Sequence, residues 1–440
     1  MKRKFLISIL LLLTGSYLTL RAQNAVTEMK LSLKEAQDYA IQNNKMMISS
    51  RYDVDASRTA IWETISNLLP SISGSGSFVD NVKLGSIVVD INGQQVVFTM
   101  GQQFNTSASV SANLLVFNAP AIIGIQTAKL ANKLSQNILV KSELDTRESV
   151  SSAYYNILVS EKSLDLLEGN IEILNNNLKA TKSMLAVGMA EQTDVDQMAS
   201  NVRMVENSRS ALLRNIEINY NLLRFMLGVK PETNIQLSET LEGITSQINV
   251  ETILSQEFDV RNNIDYKLVD GQAAMSSLML KTQKASTLPT IAGYYSYNTN
   301  GMGSKIADQR WFESAALGFS LSVPIFASGQ RYVRIKKAQI DFNKAVNTRE
   351  MVTEQLLLQQ KQLRYNLVNA NQQYTTQKEN VEISKRVYTS TENKYRQGMA
   401  SSLDLTQANS LYLQAENNYI SALMSLMQTK LALDKLLNNM

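Results

Sequence analysis

Residues 345–374 read AVNTREMVTEQLLLQQKQLRYNLVNANQQY, and the apolar spacing of this stretch decides the fold. Ala345, Val352, Leu356, Leu363, Leu367, Ala370 and Tyr374 lie seven, four, seven, four, three and four residues apart, and Val381, Tyr388 and Tyr395 continue at steps of seven. That is a coiled-coil seam sustained over about seven heptads. Gln, Asn, Lys, Glu and Thr fill the positions between and make a solvated outer face.

Working outward, the seam belongs to a proline-free run. The five prolines of the 440-residue chain are Pro70, Pro120, Pro231, Pro289 and Pro324, which leaves 121–230 and 325–440 without one. Each run holds one central Gly-Met-Ala, Gly188-Met189-Ala190 and Gly398-Met399-Ala400. Helix formers with sparse glycine and no proline sustain a single helix until a deliberate turn. Gln330 to Gln397 then makes a rod of about 100 Å, against a usual helix of about a dozen residues. An intracellular coiled-coil scaffold fits this segment as well, so the flanking sequence has to discriminate.

The amino terminus points out of the cytoplasm. Lys2-Arg3-Lys4, an apolar stretch from Phe5 to Leu13 too short to span a bilayer, and Ala22 before Gln23 have the form of a signal peptide over 1–22. Losing Lys2, Arg3, Lys4 and Arg21 with it brings the 43 basic residues to parity with the 39 acidic ones. The mature chain is then neutral, with no basic surface for nucleic acid.

Cysteine and histidine are both absent. That excludes a disulfide framework, a lipid-anchored cysteine, a Cys/His zinc site and any imidazole acid or base. Asp and Glu are strewn along helical faces without a paired arrangement, so no catalytic, cofactor-binding or metal site is expected and the chain does not read as an enzyme. The 18 methionines, Met46-Met47 included, read as packing material rather than soft-metal ligands. Gly74-x-Gly76 and Gly301-x-Gly303 lack the context of a phosphate loop.

The chain repeats itself. Gln42-Asn43-Asn44 matches Arg261-Asn262-Asn263 and Leu69-Pro70 matches Leu288-Pro289 at an offset of 219, whereas Phe117 matches Phe326 at 209 and the two Gly-Met-Ala turns match at 210. The drop in offset places about ten extra residues between Leu-Pro and Phe in the first copy. The expected division is a first repeat over 23–240 and a second over 241–440.

Between the proline and the long helix of each copy the period changes to two. Ile72, Gly74, Gly76 and Phe78 alternate with serines, as do Ala108, Val110 and Ala112; Ile291, Gly293, Tyr295 and Tyr297 and then Ala315, Leu317, Phe319, Leu321 and Val323 do the same in the second copy. Four strands of about ten residues, within 71–117 and 290–326, then present one apolar and one serine-lined face. Outer-membrane barrel strands have this length and pattern, and so does a soluble sandwich with one wet face. Four strands cannot close around a lumen, and open edges are not tolerated in lipid. Strands of this kind in a membrane require an oligomer.

The order of helix, Leu-Pro, strand, loop, strand, Phe-containing turn (Val116-Phe117-Asn118-Ala119-Pro120; Val323 to Arg331), long helix, glycine tip and return helix, given twice, resembles the TolC-type outer-membrane efflux proteins. The resemblance spans the whole mature chain. It implies a mainly α fold with a membrane β-barrel, in which a homotrimer pools four strands per subunit into twelve and continues them as a coiled-coil α-helical barrel. It implies residence in the outer membrane with extension into the periplasm, and partners in a periplasmic adaptor and an inner-membrane transporter. The long helices are expected at 121–187 and 330–397, the tips at 188–193 and 398–402, and the return helices at 194–227 and 403–437, started by Thr193 or Ser402. By position, the resemblance assigns the periplasmic gate to Thr193, Asp194, Tyr395 and Asp404. It departs from the family pattern at Gln407, where a second ring aspartate is expected, and at Ala400, where an arginine is expected. An exported soluble coiled-coil scaffold is the competing reading.

Overall fold

The computed structural model describes residues 28–246 and 248–440. The signal peptide expected over 1–22 lies outside the described residues.

Each half of the chain supplies the same series. In the first, β1 (Glu28–Leu31) and helices α1 (Leu33–Asn43) and α2 (Lys45–Ser66) lead to β2 (Ser71–Asp80), the hairpin strands β3 (Gly85–Ile91) and β4 (Gln94–Met100), and β5 (Phe104–Phe117). A long helix α3 (Ala119–Ala186) and a return helix α4 (Gln192–Leu227) follow. β6 (Asn234–Leu237) and the short helices α5 (Leu241–Ser246) and α6 (Val250–Ser255) link to α7 (Ile264–Ala285), β7 (Thr290–Gly303), β8 (Arg310–Ser322), α8 (Gln330–Arg396) and α9 (Ser402–Leu436). The helices α2 and α7 are both 22 residues, α3 and α8 are 68 and 67, and α4 and α9 are 36 and 35. Such lengths, repeated in order, reflect two copies of one unit.

Helix ends follow local chemistry. Asn118 accepts from the Ala121 N–H at 2.9 Å, so α3 begins at Ala119 and takes Pro120 into its first turn, where a missing N–H costs nothing. The long helix was expected only from 121. Ser32 and Glu35 close a capping box on α1, with the Ser32 N–H donating to Glu35 Oε2 at 2.8 Å.

One compact unit comprises 28–48, 142–258 and 358–440. Its core gathers Ala36, Ala40, Tyr154, Ile157, Leu223, Leu227 and Met427, all fully buried. Parallel pairing of β1 with β6 brings the amino-terminal segment onto the link between repeats. The Tyr154 hydroxyl donates to the Leu31 carbonyl at 3.1 Å, and burial pushes that phenol up to about 12. At the end of α4, Gly228 has φ 71°, and a Cβ there would lie 2.5 Å from the Asn43 carbonyl oxygen, so only glycine fits.

The other unit comprises 49–141 and 259–357. Its sheet is antiparallel in the order β2-β5-β7-β8, leaving one long edge on β2 and another on β8 unpaired among the described residues. The register aligns Ser73 with Ser111, Ser296 and Ala316 on one face, and Ile72 with Ala112, Tyr295 and Leu317 on the other. Ser75 and Ser109, and Ser77 and Ser107, join their hydroxyls across the strands at 2.7 Å. Ile72, Leu317 and Phe319 are 76%, 78% and 76% exposed, an apolar face that nothing among the described residues covers. Trp311 lies over Gly301 and Phe319 over Gly293, aromatic rings filling the space beside strand glycines.

The segment between β2 and β5 was expected to be a loop. It holds the hairpin β3–β4, which turns at Asn92-Gly93 with φ 57° and 83°, the positive angles a tight two-residue turn needs. The extra residues of the first repeat sit here. Among the described residues, no helix is long and apolar enough to cross a membrane.

Candidate functional site

Both tips are built the same way. Gly188 has φ 77°, its N–H donates to the Leu185 carbonyl at 3.0 Å, and the Met189 N–H reaches back to Met184 at 2.8 Å. Gly398, at φ 74°, and Met399 repeat this with Tyr395 at 2.9 Å and Lys394 at 2.8 Å. This is the hydrogen-bond pair of a Schellman ending, which needs a left-handed residue and therefore takes glycine. Met189 and Met399 are exposed, and Ala190 and Ala400 half-buried. The Met189 methyl lies 3.8 Å from where a Cβ on Gly398 would stand, so the two turns adjoin.

The return helices start one or two residues earlier than expected, at Gln192 and Ser402. Glu191 and Ser401, not Thr193 and Ser402, are the capping residues, because each lies three residues before an aspartate that can reach back to its N–H. Asp404 Oδ2 accepts from the Ser401 N–H at 2.9 Å and the Ser401 hydroxyl at 2.7 Å, while the Asp404 N–H donates to Ser401 Oγ at 3.1 Å. Asp194 Oδ2 accepts from the Glu191 N–H at 2.9 Å, and Thr193 donates its hydroxyl to Glu191 at 3.3 Å.

The structure brings Asp194 against the other tip. Its Oδ1 accepts the hydroxyl of the buried Ser402, 208 residues on in sequence. The Ser402 hydroxyl, and then the Glu191 N–H, hold the Asp194 carboxyl below the usual range; the Ser401 hydroxyl and N–H do the same for Asp404. Asp404 and Gln407 are exposed, one turn apart on α9.

Tyr395, whose carbonyl accepts the Gly398 N–H at the tip, turns its side chain to α3. Only 5% exposed, it shares a 2.7 Å hydroxyl contact with Thr181 of α3, and one heptad earlier Asn177 donates to the Tyr388 hydroxyl at 3.0 Å. Met198, Leu405 and Ala408 pack around the two tyrosines. The seam of α8 is therefore tied to α3 by polar rungs at heptad spacing. Ser401, Ser402 and Thr181 were not among the expected gate residues; the Ser401-x-x-Asp404 pattern is a capping signature that points to the first of them.

One unit thus holds a sheet with a hydroxyl-lined face, an apolar face and two open edges, and the other holds the paired glycine tips at which the long helices reverse. Residues 37–229 and 277–439 match the outer membrane efflux protein family, and the chain belongs to it. It is 21% identical over 412 residues to toxin and drug export protein A of Aggregatibacter actinomycetemcomitans, covering 89% of this chain and 86% of that relative. It is 23% identical over 357 residues to the outer membrane efflux protein BepC of Brucella suis, covering 78% and 70%. The solved structure of the outer membrane protein VceC of Vibrio cholerae superposes with a TM-score of 0.72 at 13% identity over 92% of this chain and 95% of that one. The protein is an outer-membrane efflux channel, a route of passage and not a catalyst. The alternative of an exported soluble scaffold falls with this membership.

Proposed function

We propose that three copies of the chain join β8 of one to β2 of the next, pooling four strands each into a twelve-strand barrel that opens to the outside. The observation that carries this is the pair of unpaired edges on a sheet whose apolar face is bare, since neither is tolerated in lipid. The first repeat, 23–240, and the second, 241–440, supply equivalent halves. The helices below the barrel form a periplasmic tunnel closed at the tips 188–193 and 398–402. A periplasmic adaptor docks there and links the duct to an energised inner-membrane transporter, so the channel itself draws no energy.

In this reading the tip is the gate. The Asp194–Ser402 bond and the Tyr395–Thr181 rung hold the closed arrangement, and partner binding biases a two-state opening. Asp404, with Gln407 below it, faces the threefold axis, where three carboxylates favour cations. Thr193 sits beside this ring on the neighbouring tip. A mass measurement in detergent tests the trimer, a monomer overturning it. In planar bilayers Asp404→Ala is expected to raise single-channel conductance or lower cation preference, and unchanged values remove Asp404 from the gate.

A further inference from the structure

The unit that carries the sheet also forms an open cavity of about 780 Å³ among α2, α3, α7 and α8, with Arg334 and Lys337 exposed at it. That is the size of pockets that take drug-sized molecules. The cavity exists because its α3 wall is made of small side chains, Gly124, Thr127, Ala128 and Ala131, one stripe along the helix.

The facing wall is the same stretch of the other repeat, at the offset of 210 that relates the two tips. There Gly124 becomes Arg334, Thr127 becomes Lys337 and Ala131 becomes Asp341, while Ala128 stays Ala338. Two copies of one element have thus diverged into an apolar wall and a charged wall of a single cavity. Arg334 and Lys337 lie one turn apart and have no ion-pair partner among the described residues. Asp341 offsets one of the two positive charges and leaves the wall cationic.

We infer that this cavity is a transit site for amphipathic organic anions, which lay an apolar body on the Gly124–Ala131 wall and turn a sulfonate or carboxylate to Arg334 and Lys337. A guanidinium both pairs with such a group and stacks on a flat ring, so aromatic anions suit the site best. The inference deepens the exit-duct reading and rests on it. It adds a weak, anion-selective stop to a passage whose proposed gate, the Asp404 ring, favours cations.

The test is calorimetric titration of the full chain, reconstituted in lipid nanodiscs, with naphthalene-2-sulfonate and with its cationic counterpart 2-naphthyltrimethylammonium. Saturable sulfonate binding is expected, at least tenfold tighter than that of the ammonium probe. Arg334→Gln combined with Lys337→Gln should weaken it at least tenfold, and Ala128→Trp should weaken it too by obstructing the apolar wall. No saturable binding, equal binding of the two probes, or binding indifferent to the double substitution overturns the inference. Conductance of the same preparation in planar bilayers separates the two readings. A pore without sulfonate binding sinks the transit site alone, whereas absence of any pore sinks the duct.

Discussion

Ser402 donates its hydroxyl to the carboxylate of Asp194, and so the first residue of one return helix is bound to the first turn of the other. The contact crosses the two repeats at the point where each long helix reverses. A hydrogen bond to an ionised group contributes about 1.5–3 kcal/mol when well shielded, and partial exposure brings this one toward the lower figure. Ser402→Ala removes it while leaving both capping residues intact. If the tip is the gate as proposed and this bond helps to close it, a loss of about 1 kcal/mol multiplies the open-to-closed ratio roughly fivefold. Single-channel recording is expected to show that rise, and an open fraction equal to the parent's would detach this bond from the gate.

Acid should act in the same direction. Both tip aspartates have folded-state pKa values held below the ordinary carboxylate value of 3.8, Asp194 chiefly by Ser402 and Asp404 chiefly by Ser401. A depressed carboxylate stabilises its partner contacts fully above the unfolded pKa and loses that contribution as pH falls through the folded one. Conductance should therefore be level from pH 7 to about 4.5 and climb only at lower pH, where protonation breaks the inter-tip bond. A change centred near neutrality would point to other groups.

The glycines at helix ends are not equivalent. Gly188 and Gly228 have φ 77° and 71°, but a Cβ at Gly188 meets open space, whereas at Gly228 it meets the Asn43 backbone at 2.5 Å. Gly188→Ala is expected to cost about 1 kcal/mol through the left-handed backbone alone. Gly228→Ala adds a clash that only backbone movement relieves, and should lower the melting temperature several times further. Equal shifts in a thermal melt would contradict the close approach.

Much of this could be read from residues in a row. The seam from Ala345 to Tyr395, the two Gly-Met-Ala turns and the serine alternation at 71–78 are periodic signals, and each corresponds to a helix, a tip or a strand. The hairpin at 85–100 escaped because it interrupts a strand pair rather than continuing one, although Asn92-Gly93 between valine runs marks it. Helix starts were misplaced because Thr193 and Ser402 are good capping types standing beside the actual caps, Glu191 and Ser401. What no spacing encodes is contact at long range. Ser402 with Asp194 and Tyr395 with Thr181 are 208 and 214 residues apart, and only the superposed repeats bring them together.

Asn170 stands seven residues before Asn177 on the buried side of α3 and is 3% exposed, and neither amide atom has a partner among the described residues. A buried unpaired amide costs about 1–3 kcal/mol. Asn170→Leu should accordingly stabilise the chain, raising the melting temperature, and should also make the tip harder to open by stiffening the seam. A fall in melting temperature would mean that Asn170 is solvated or paired in the working assembly.

The strongest discrimination between the two faces of the sheet comes from adjacent residues of β8. Leu317 shares its face with Ile72, Ala112 and Tyr295, and Ala316 shares the opposite one with Ser73, Ser111 and Ser296. If the first face meets lipid and the second the lumen, an arginine at 317 must be buried in hydrocarbon at a cost of about 2–4 kcal/mol near the midplane, while an arginine at 316 stays in water. Leu317→Arg should therefore reduce the amount of folded channel recovered from outer membranes. Ala316→Arg should leave recovery near the parent level and shift ion preference toward anions instead. Because the side-chain period of a strand is two, the opposite outcome would invert the sheet, putting the serine rungs in lipid, and no barrel built from these strands could then hold a polar lumen.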